Sequence, residues 1–216
     1  MLFSYAAMIE ARMACVKRFG SIFDLPVLED IYSPLHELEP LEGTMLDFGS
    51  GPNRLKTFCS ERFPSLTYTS LDTDPTYVCD YTRLEDIPQG RHFRLIIANQ
   101  VLEHLALEDG LIVMAKLSSL LEENGALLVT VPNVAHSNRF RGDPDHKTYL
   151  SYPTLYYLAS HANLDVKSMY KYSKRKPCGF VEKFFAKHIG ALYRIDWADS
   201  IAMLAVKKGD LHGNPS

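Results

Sequence analysis

Residues 44–52 read Thr-Met-Leu-Asp-Phe-Gly-Ser-Gly-Pro, an apolar run that stops at two closely spaced glycines. The pattern predicts a buried strand, a tight turn and the start of a helix. Gly49 and Gly51 would let the backbone approach a ligand closely. Asp72 follows the next predicted strand, residues 66–71. Two carboxylates, Asp47 and Asp72, would therefore lie one strand apart at the edge where open α/β sheets bind ligands.

Similar strand patterns recur further along the chain and alternate with helical patterns. The additional strand candidates are residues 77–79, 93–98, 126–131, 166–172 and 200–206. This alternation predicts an α/β fold with one doubly wound, Rossmann-like sheet and helices on both faces. No repeat or linker divides the chain.

The composition is that of one ordinary soluble globular domain: 216 residues, 46% hydrophobic side chains and a net charge of −3. Four cysteines without a C-x-x-C pair exclude a disulfide scaffold and favour a cytoplasmic location. No apolar run approaches the ~18 residues of a membrane span, so none is expected. The near balance of 23 basic and 26 acidic residues gives no overall attraction to nucleic acid.

Three regions are predicted along the chain. We expect an N-terminal helical cover over residues 1–40, a core over 41–208 and a flexible tail over 209–216. Within the core, residues 132–152 lose regular periodicity, and irregular segments of this length are usually functional. We interpret them as a lid over the ligand site.

Four motifs in order resemble the class I S-adenosylmethionine-dependent methyltransferases, in particular their type 11/12-like group. The first is the glycine turn at 46–51, and the others are Ser70–Pro75, Cys79–Tyr81 and Ile97–Leu105. The resemblance covers most of the chain, since residues 199–207 look like the family's last strand. It implies a seven-stranded sheet, mostly parallel with an antiparallel last strand, and S-adenosylmethionine as cofactor with S-adenosylhomocysteine as product.

The resemblance also implies which residues surround the cofactor. Asp47 and the glycines would meet its methionine end, Asp72 its ribose, Asp80 with Tyr81 its adenine, and Asn99 its sulfonium. The full predicted set is Asp47, Gly49, Ser50, Gly51, Asp72, Thr73, Asp80, Tyr81, Asn99 and Gln100. Asn53 replaces the family's third glycine, and asparagine adopts left-handed backbone more readily than most residues.

The residues themselves favour a cofactor without phosphate. A dinucleotide needs a third glycine and a helix N-terminus for its pyrophosphate, and Asp47 would repel that group. A nucleotide-dependent oxidoreductase is therefore a distant alternative.

The expected reaction is methyl transfer to an oxygen of a small molecule or a glycan. The N/D-P-P-Y/F tetrapeptide of amino-group methyltransferases is absent at residues 99–102, which favours an oxygen acceptor over an amine and leaves carbon and sulfur acceptors open. A proton on that oxygen needs a base, and histidine is the usual one near neutral pH. His104, after the fourth motif, and His146, in the lid, are the predicted catalytic residues.

Two other functions stay open from the sequence. Small-RNA 3′-terminal 2′-O-methyltransferases have a comparable E-x-x-E-H element and a later D-H-K that bind a metal. Here Glu103, His104 and His146 would be the ligands. Because Gln100 replaces the first Glu, we primarily expect that the protein binds no metal. RNA is a less favoured partner because the basic residues gather in one short stretch, 167–176. The other possibility is a cofactor-binding partner subunit without catalysis; the oligomeric state is left open.

Overall fold

A computed structural model describes residues 4–208, apart from the side chains at positions 187, 189 and 191. Its elements alternate as the sequence predicts. The strands are β1 Gly43–Phe48, β2 Leu66–Leu71, β3 Phe93–Asn99, β4 Leu121–Pro132, β5 Leu164–Tyr172 and β6 Ser200–Lys207. The α-helices are α1 Tyr5–Phe19, α2 Arg54–Arg62, α3 Leu107–Leu120, α4 Tyr152–His161 and α5 Gly179–Tyr193.

The six strands form one sheet in the order β2-β1-β3-β4-β6-β5. The pairs β1–β2, β1–β3 and β3–β4 are parallel, whereas β6 is antiparallel to both of its neighbours. The prediction of a mostly parallel sheet with an antiparallel last strand is confirmed.

Apolar residues on the two faces of the sheet form two separate cores. On one face Leu46, Ile96 and Val129 pack with residues of α1, α3 and α4. On the other face Met45 and Leu95 pack with α2 and with a short 3-10 helix, Ser33–Leu38. Helices therefore cover both faces, as predicted.

The predicted seventh strand, residues 77–79, does not form. Val78 is 91% exposed, so this stretch lacks the apolar contacts that stabilise a central strand. A single bridge between Leu71 and Tyr81 takes the place of a ladder. The chain is held there by Asp80, whose carboxylate accepts from the Ser70 N–H at 2.8 Å and its hydroxyl at 2.9 Å.

The N-terminal region contains α1, which packs on α4 and buries Cys15 completely. Ser151 caps α4, because its side chain accepts from the Thr154 N–H. The predicted tail at 209–216 lies outside the described residues. Among residues 4–208, no helix is long and apolar enough to cross a membrane.

Candidate functional site

The glycine turn after β1 is bonded to the end of β2. Gly49 and Ser50 donate their N–H groups to the Leu71 carbonyl at 2.8 and 3.1 Å. Gly51 donates to Oδ2 of Asp72 at 2.7 Å. The loop and the acid that sequence reasoning placed one strand apart are thus in direct contact.

The two glycines of the turn serve different purposes. Both have positive φ angles, 76° at Gly49 and 50° at Gly51. A Cβ at Gly49 would lie 2.3 Å from Cγ2 of Val101, so this glycine is required by packing inside the protein. A Cβ at Gly51 would meet nothing closer than Cε2 of Tyr77 at 4.0 Å. Only Gly51 therefore leaves open space where a ligand could approach the backbone.

Asn53 takes the place of a third glycine and adopts the left-handed conformation, with φ 56° and ψ 38°. Its side chain donates to the Val78 carbonyl at 2.9 Å and accepts from the Tyr68 hydroxyl at 3.2 Å. Asparagine thus supplies the backbone geometry of glycine and also ties the turn to the neighbouring loop.

Asp47 is a buried carboxyl group at the end of β1, only 2% exposed. The Tyr68 hydroxyl donates to its Oδ2 at 2.6 Å. Burial raises the pKa of Asp47 to about 6, although this hydrogen bond acts in the opposite direction. Sequence reasoning missed Tyr68; the signal was a polar-tipped aromatic on the strand next to a predicted site carboxylate.

The residues after β2 form a compact acidic loop. The Asp74 N–H donates to Oδ1 of Asp72 at 2.9 Å, which closes the turn that contains Thr73. Asp72 in turn donates its N–H to the Tyr81 carbonyl at 3.3 Å. The Ser50 hydroxyl lies 3.3 Å from the Cys79 sulfur, so the glycine turn also contacts this loop.

Asn99 and Gln100 lie at the end of β3 and share Thr130 of β4. The Thr130 hydroxyl donates to Oδ1 of the Asn99 side chain, and the Gln100 side-chain amide donates to the same hydroxyl at 3.2 Å. Thr130 is fully buried and was not predicted as a site residue. It fixes both amide side chains at the strand edge.

The predicted cofactor residues suit S-adenosylmethionine chemically. The set includes three carboxylates, Asp47, Asp72 and Asp80, and it contains no basic residue. The cofactor carries a sulfonium, an ammonium and ribose hydroxyls, all of which carboxylates can bind, and no phosphate. A pyrophosphate in the same place would meet Asp47 and Asp72.

A second cluster joins the end of β3 to the lid. Glu103 is fully buried, and within the described part of the chain neither of its side-chain oxygens has a hydrogen-bond partner. Nε2 of His146 lies 4.0 Å from Oε1 of Glu103, and the rings of His104 and His146 are 5.0 Å apart. The backbone N–H groups of Lys147 and Thr148 donate to the Glu103 carbonyl at 2.8 and 3.0 Å, which brings the lid to this strand end. The two predicted catalytic histidines do converge.

Hydrogen bonds fix the proton positions of both rings. Nδ1 of His146 contacts the Phe140 carbonyl at 2.8 Å, and Nδ1 of His104 contacts the Asp145 carboxylate at 3.1 Å. Both partners only accept, which assigns a proton to each Nδ1 and, in a neutral ring, the lone pair to Nε2. Nε2 of His146 also lies 3.8 Å from Oδ2 of Asp143. Each Nε2 can therefore accept a proton or bind a metal ion.

The cluster of Glu103, His104 and His146 has the composition of a metal site. Their ligand atoms all lie within 4.8 Å of one another. Burial raises the pKa of Glu103 to about 8, and the charge of Asp143 adds to the rise. An ionised Glu103 would therefore need a compensating positive charge. A divalent cation or a proton would supply one.

The basic stretch 167–176 does not form a continuous cationic surface. Lys171 is 3% exposed and lies 3.4 Å from Asp196. Lys167 pairs with Asp165 at 2.7 Å, and Arg175 with Glu182 at 3.4 Å. Among the described residues, Lys174 and Lys176 are exposed and form no ion pair, so this stretch offers a polyanion two unpaired charges.

A sheet of this order, a glycine turn after β1 and an acid after β2 define the class I S-adenosylmethionine-dependent methyltransferases. This chain belongs to that class: residues 24–168 match the methyltransferase-domain family. Its cofactor is S-adenosylmethionine, as predicted. No curated protein matches the chain.

Many solved structures share the fold. The chain is similar to a SAM-dependent methyltransferase from Archaeoglobus fulgidus, with a TM-score of 0.64, 17% identity, and coverage of 90% of this chain and 99% of that one. It is also similar to an S-adenosylmethionine-dependent methyltransferase from Clostridium acetobutylicum. There the TM-score is 0.54 and the identity 10%, with coverage of 96% of this chain and 93% of that one. For the YcgJ protein from Bacillus subtilis the TM-score is 0.58 and the identity 14%, with coverage of 83% of this chain and 98% of that one. At these identities the likeness shows the fold alone.

Proposed function

We propose that this chain transfers the methyl group of S-adenosylmethionine to a hydroxyl oxygen of a small molecule or a glycan. The observation that carries the proposal is the convergence of His104 and His146, each with its Nε2 lone pair available, where β3 ends and the lid begins. The four free cysteines support the cytoplasm as the compartment.

Each group of residues has a role in this proposal. The cofactor supplies an electrophilic methyl group. Asp72 binds the ribose hydroxyls, Asp47 faces the methionine end, and Asp80 with Tyr81 borders the adenine. The lid, residues 132–152, orders the acceptor and excludes water, which accounts for much of the rate of an in-line transfer. Nε2 of His104 or His146 takes the acceptor proton.

Labelled S-adenosylmethionine and a panel of hydroxylated small molecules and glycans test the proposal. We expect whichever of His104→Gln and His146→Gln removes the base to lower kcat by about 10²- to 10⁴-fold, because a general base contributes that much. The Kd for the cofactor, measured by calorimetry, should stay within about twofold, since neither ring belongs to the proposed cofactor set. Asp72→Asn should weaken that Kd by at least about tenfold, the effect of one charged hydrogen bond.

His92→Gln is the matched control, because His92 is an exposed histidine at the opposite end of β3. It should leave both constants unchanged. Product formation at full rate in both site variants would refute the histidine assignment, and an unchanged Kd in Asp72→Asn would refute the cofactor assignment. Cofactor binding without transfer to any acceptor would favour the partner-subunit alternative.

A second candidate function is metal-assisted methylation of the 3′-terminal ribose of RNA. It is favoured by the spacing of Glu103, His104 and His146 and by the partnerless oxygens of Glu103. In that case methylation of a short RNA should stop on addition of a chelator and return with Mn²⁺. Methylation that is insensitive to the chelator, or no methylation of RNA, rejects this function.

A further inference from the structure

A cavity of about 880 Å³ lies between α1, the lid and the start of α4. Its wall includes Val134 and His136, which follow the end of β4, where Thr130 pairs with Asn99. Phe140, also in the wall, packs against the His146 ring in a tilted arrangement, with 5.2 Å between the ring centroids. The cavity therefore adjoins the histidine cluster on the side of the lid, and its volume is typical of pockets for drug-sized ligands.

The charged groups that line this cavity all have one sign. Arg12 of α1, Arg141 of the lid and Arg194 after α5 lie in its wall, and no Asp or Glu does. A concave site lined by one sign of charge attracts ligands of the opposite sign.

The three arginines are not neutralised within the protein. In residues 4–208 none of them forms an ion pair, whereas Arg18, Arg139 and Arg175 all do. The charge of Arg12 acts on the neighbouring Tyr152, where it opposes the rise in pKa that burial causes. Their guanidinium groups thus remain available to a ligand.

His136 adds a hydrogen-bond donor to the same wall. Its Nδ1 accepts from the N–H groups of Asn138 and Arg139, both at 3.2 Å. The neutral ring therefore carries its proton on Nε2, which can donate to an oxyanion. The rest of the wall includes the aromatic rings of Phe23, Phe140 and Tyr149.

We propose that this cavity binds the anionic part of the methyl acceptor, a phosphate or carboxylate group attached to an apolar or aromatic moiety. The inference rests on the proposed function, since it takes the cavity as the acceptor site. Guanidinium groups suit both oxyanions because they donate two parallel hydrogen bonds.

Binding of small probes tests the inference without cofactor and without turnover. Phenyl phosphate, benzoate and benzamide are titrated into the protein at low salt and followed by ligand-observed NMR. We expect the better of the two anions to bind at least about fivefold more tightly than the neutral amide, the scale of one or two charge-assisted bonds. The tighter anion identifies the oxyanion as phosphate or carboxylate. The Arg12→Gln/Arg141→Gln double variant should reduce the preference to within about twofold.

Arg91→Gln is the control, because Arg91 is an exposed arginine just before the N-terminal end of β3, whereas the cavity adjoins the residues that follow the C-terminal end of β4. It should keep the full preference. Equal binding of benzoate, phenyl phosphate and benzamide, or an unchanged preference in the double variant, would overturn the inference. Because the assay needs no methyl transfer, its result is separate from that of the histidine variants. The thermal midpoints of all variants check that each one folds.

Discussion

The buried carboxyl group of Asp47 couples the stability of the fold to pH. The carboxyl group is buried beside Tyr68, and burial raises its pKa from 3.8 to about 6. The folded protein therefore binds more protons than the unfolded chain between about pH 4 and 6. The contribution of Asp47 to stability is fully present below this range and is lost as the pH rises through it.

Asp47→Asn should remove this pH dependence. The variant is expected to become more stable relative to the wild type as the pH rises from 4 to 7, by roughly 2–3 kcal/mol. The reason is that the amide remains neutral while the buried carboxyl group must ionise. Urea unfolding at several pH values measures the difference in the free energy of unfolding.

Asp165→Asn provides a control of opposite sign. A hydrogen bond from Lys167 holds the pKa of Asp165 below its usual value, and Arg18 adds to this effect. Because Asp165 is partly exposed, its variant should lose only a little stability above pH 4. If the difference between Asp47→Asn and the wild type stayed flat with pH, the carboxyl group would not be buried as described.

The contacts of the glycine turn could be predicted from the sequence, but the reason for each glycine could not. The residues Gly49, Gly51 and Asp72 were predicted to meet at one sheet edge, and they do. The reason for Gly49 was not predictable, because Val101 comes within 2.3 Å of its would-be Cβ only after the chain has folded. A glycine in a sequence indicates a backbone requirement but not whether a ligand or a side chain imposes it.

A buried asparagine holds the start of the lid to the sheet. Asn133, the first residue after β4, donates at 2.9 Å to both Asp196 and the Ala198 carbonyl. It also accepts from the Ala135 N–H at 3.0 Å. One side chain thus joins the start of the lid to the loop before β6.

Asn133→Ala should lower the free energy of unfolding by roughly 2–4 kcal/mol, because it leaves several buried polar groups without partners. Asn138→Ala, an exposed position in the same lid, should change it by no more than about 0.5 kcal/mol. Denaturant unfolding measures both. Equal stability of the two variants would contradict the role of Asn133 as the anchor of the lid.

Element prediction succeeded where periodicity was strong. The buried runs of β1, β3 and β4 were located correctly because both faces of these strands are apolar. The strand expected at 77–79 does not form. A run of only three apolar residues does not indicate whether other residues will cover it. Helix α5 was not predicted at all, and several of its apolar residues, including Phe180 and Val181, remain exposed.

The sheet lies between two hydrophobic cores, one on each of its faces. Cys15 of α1 belongs to the core on one face, and Cys59 of α2 belongs to the core on the other. Burial raises the pKa of each thiol to about 12, and for Cys59 the charge of Asp47 adds to this effect. Since the thiolate is the reactive form, both should react only after local or global unfolding.

The two cysteines can therefore report whether both faces unfold together. In a Cys79→Ser/Cys178→Ser background, maleimide labelling of Cys15 and Cys59 should show the same urea midpoint as the loss of circular dichroism. A common midpoint is expected because β1 and β3 contribute apolar side chains to both cores, so neither face can open alone. Exposed Cys178, restored singly, should label without urea and verifies that the reagent is active. Labelling of Cys15 at a lower urea concentration than Cys59 would instead show that α1 opens as a separate unit over the cavity between α1 and the lid.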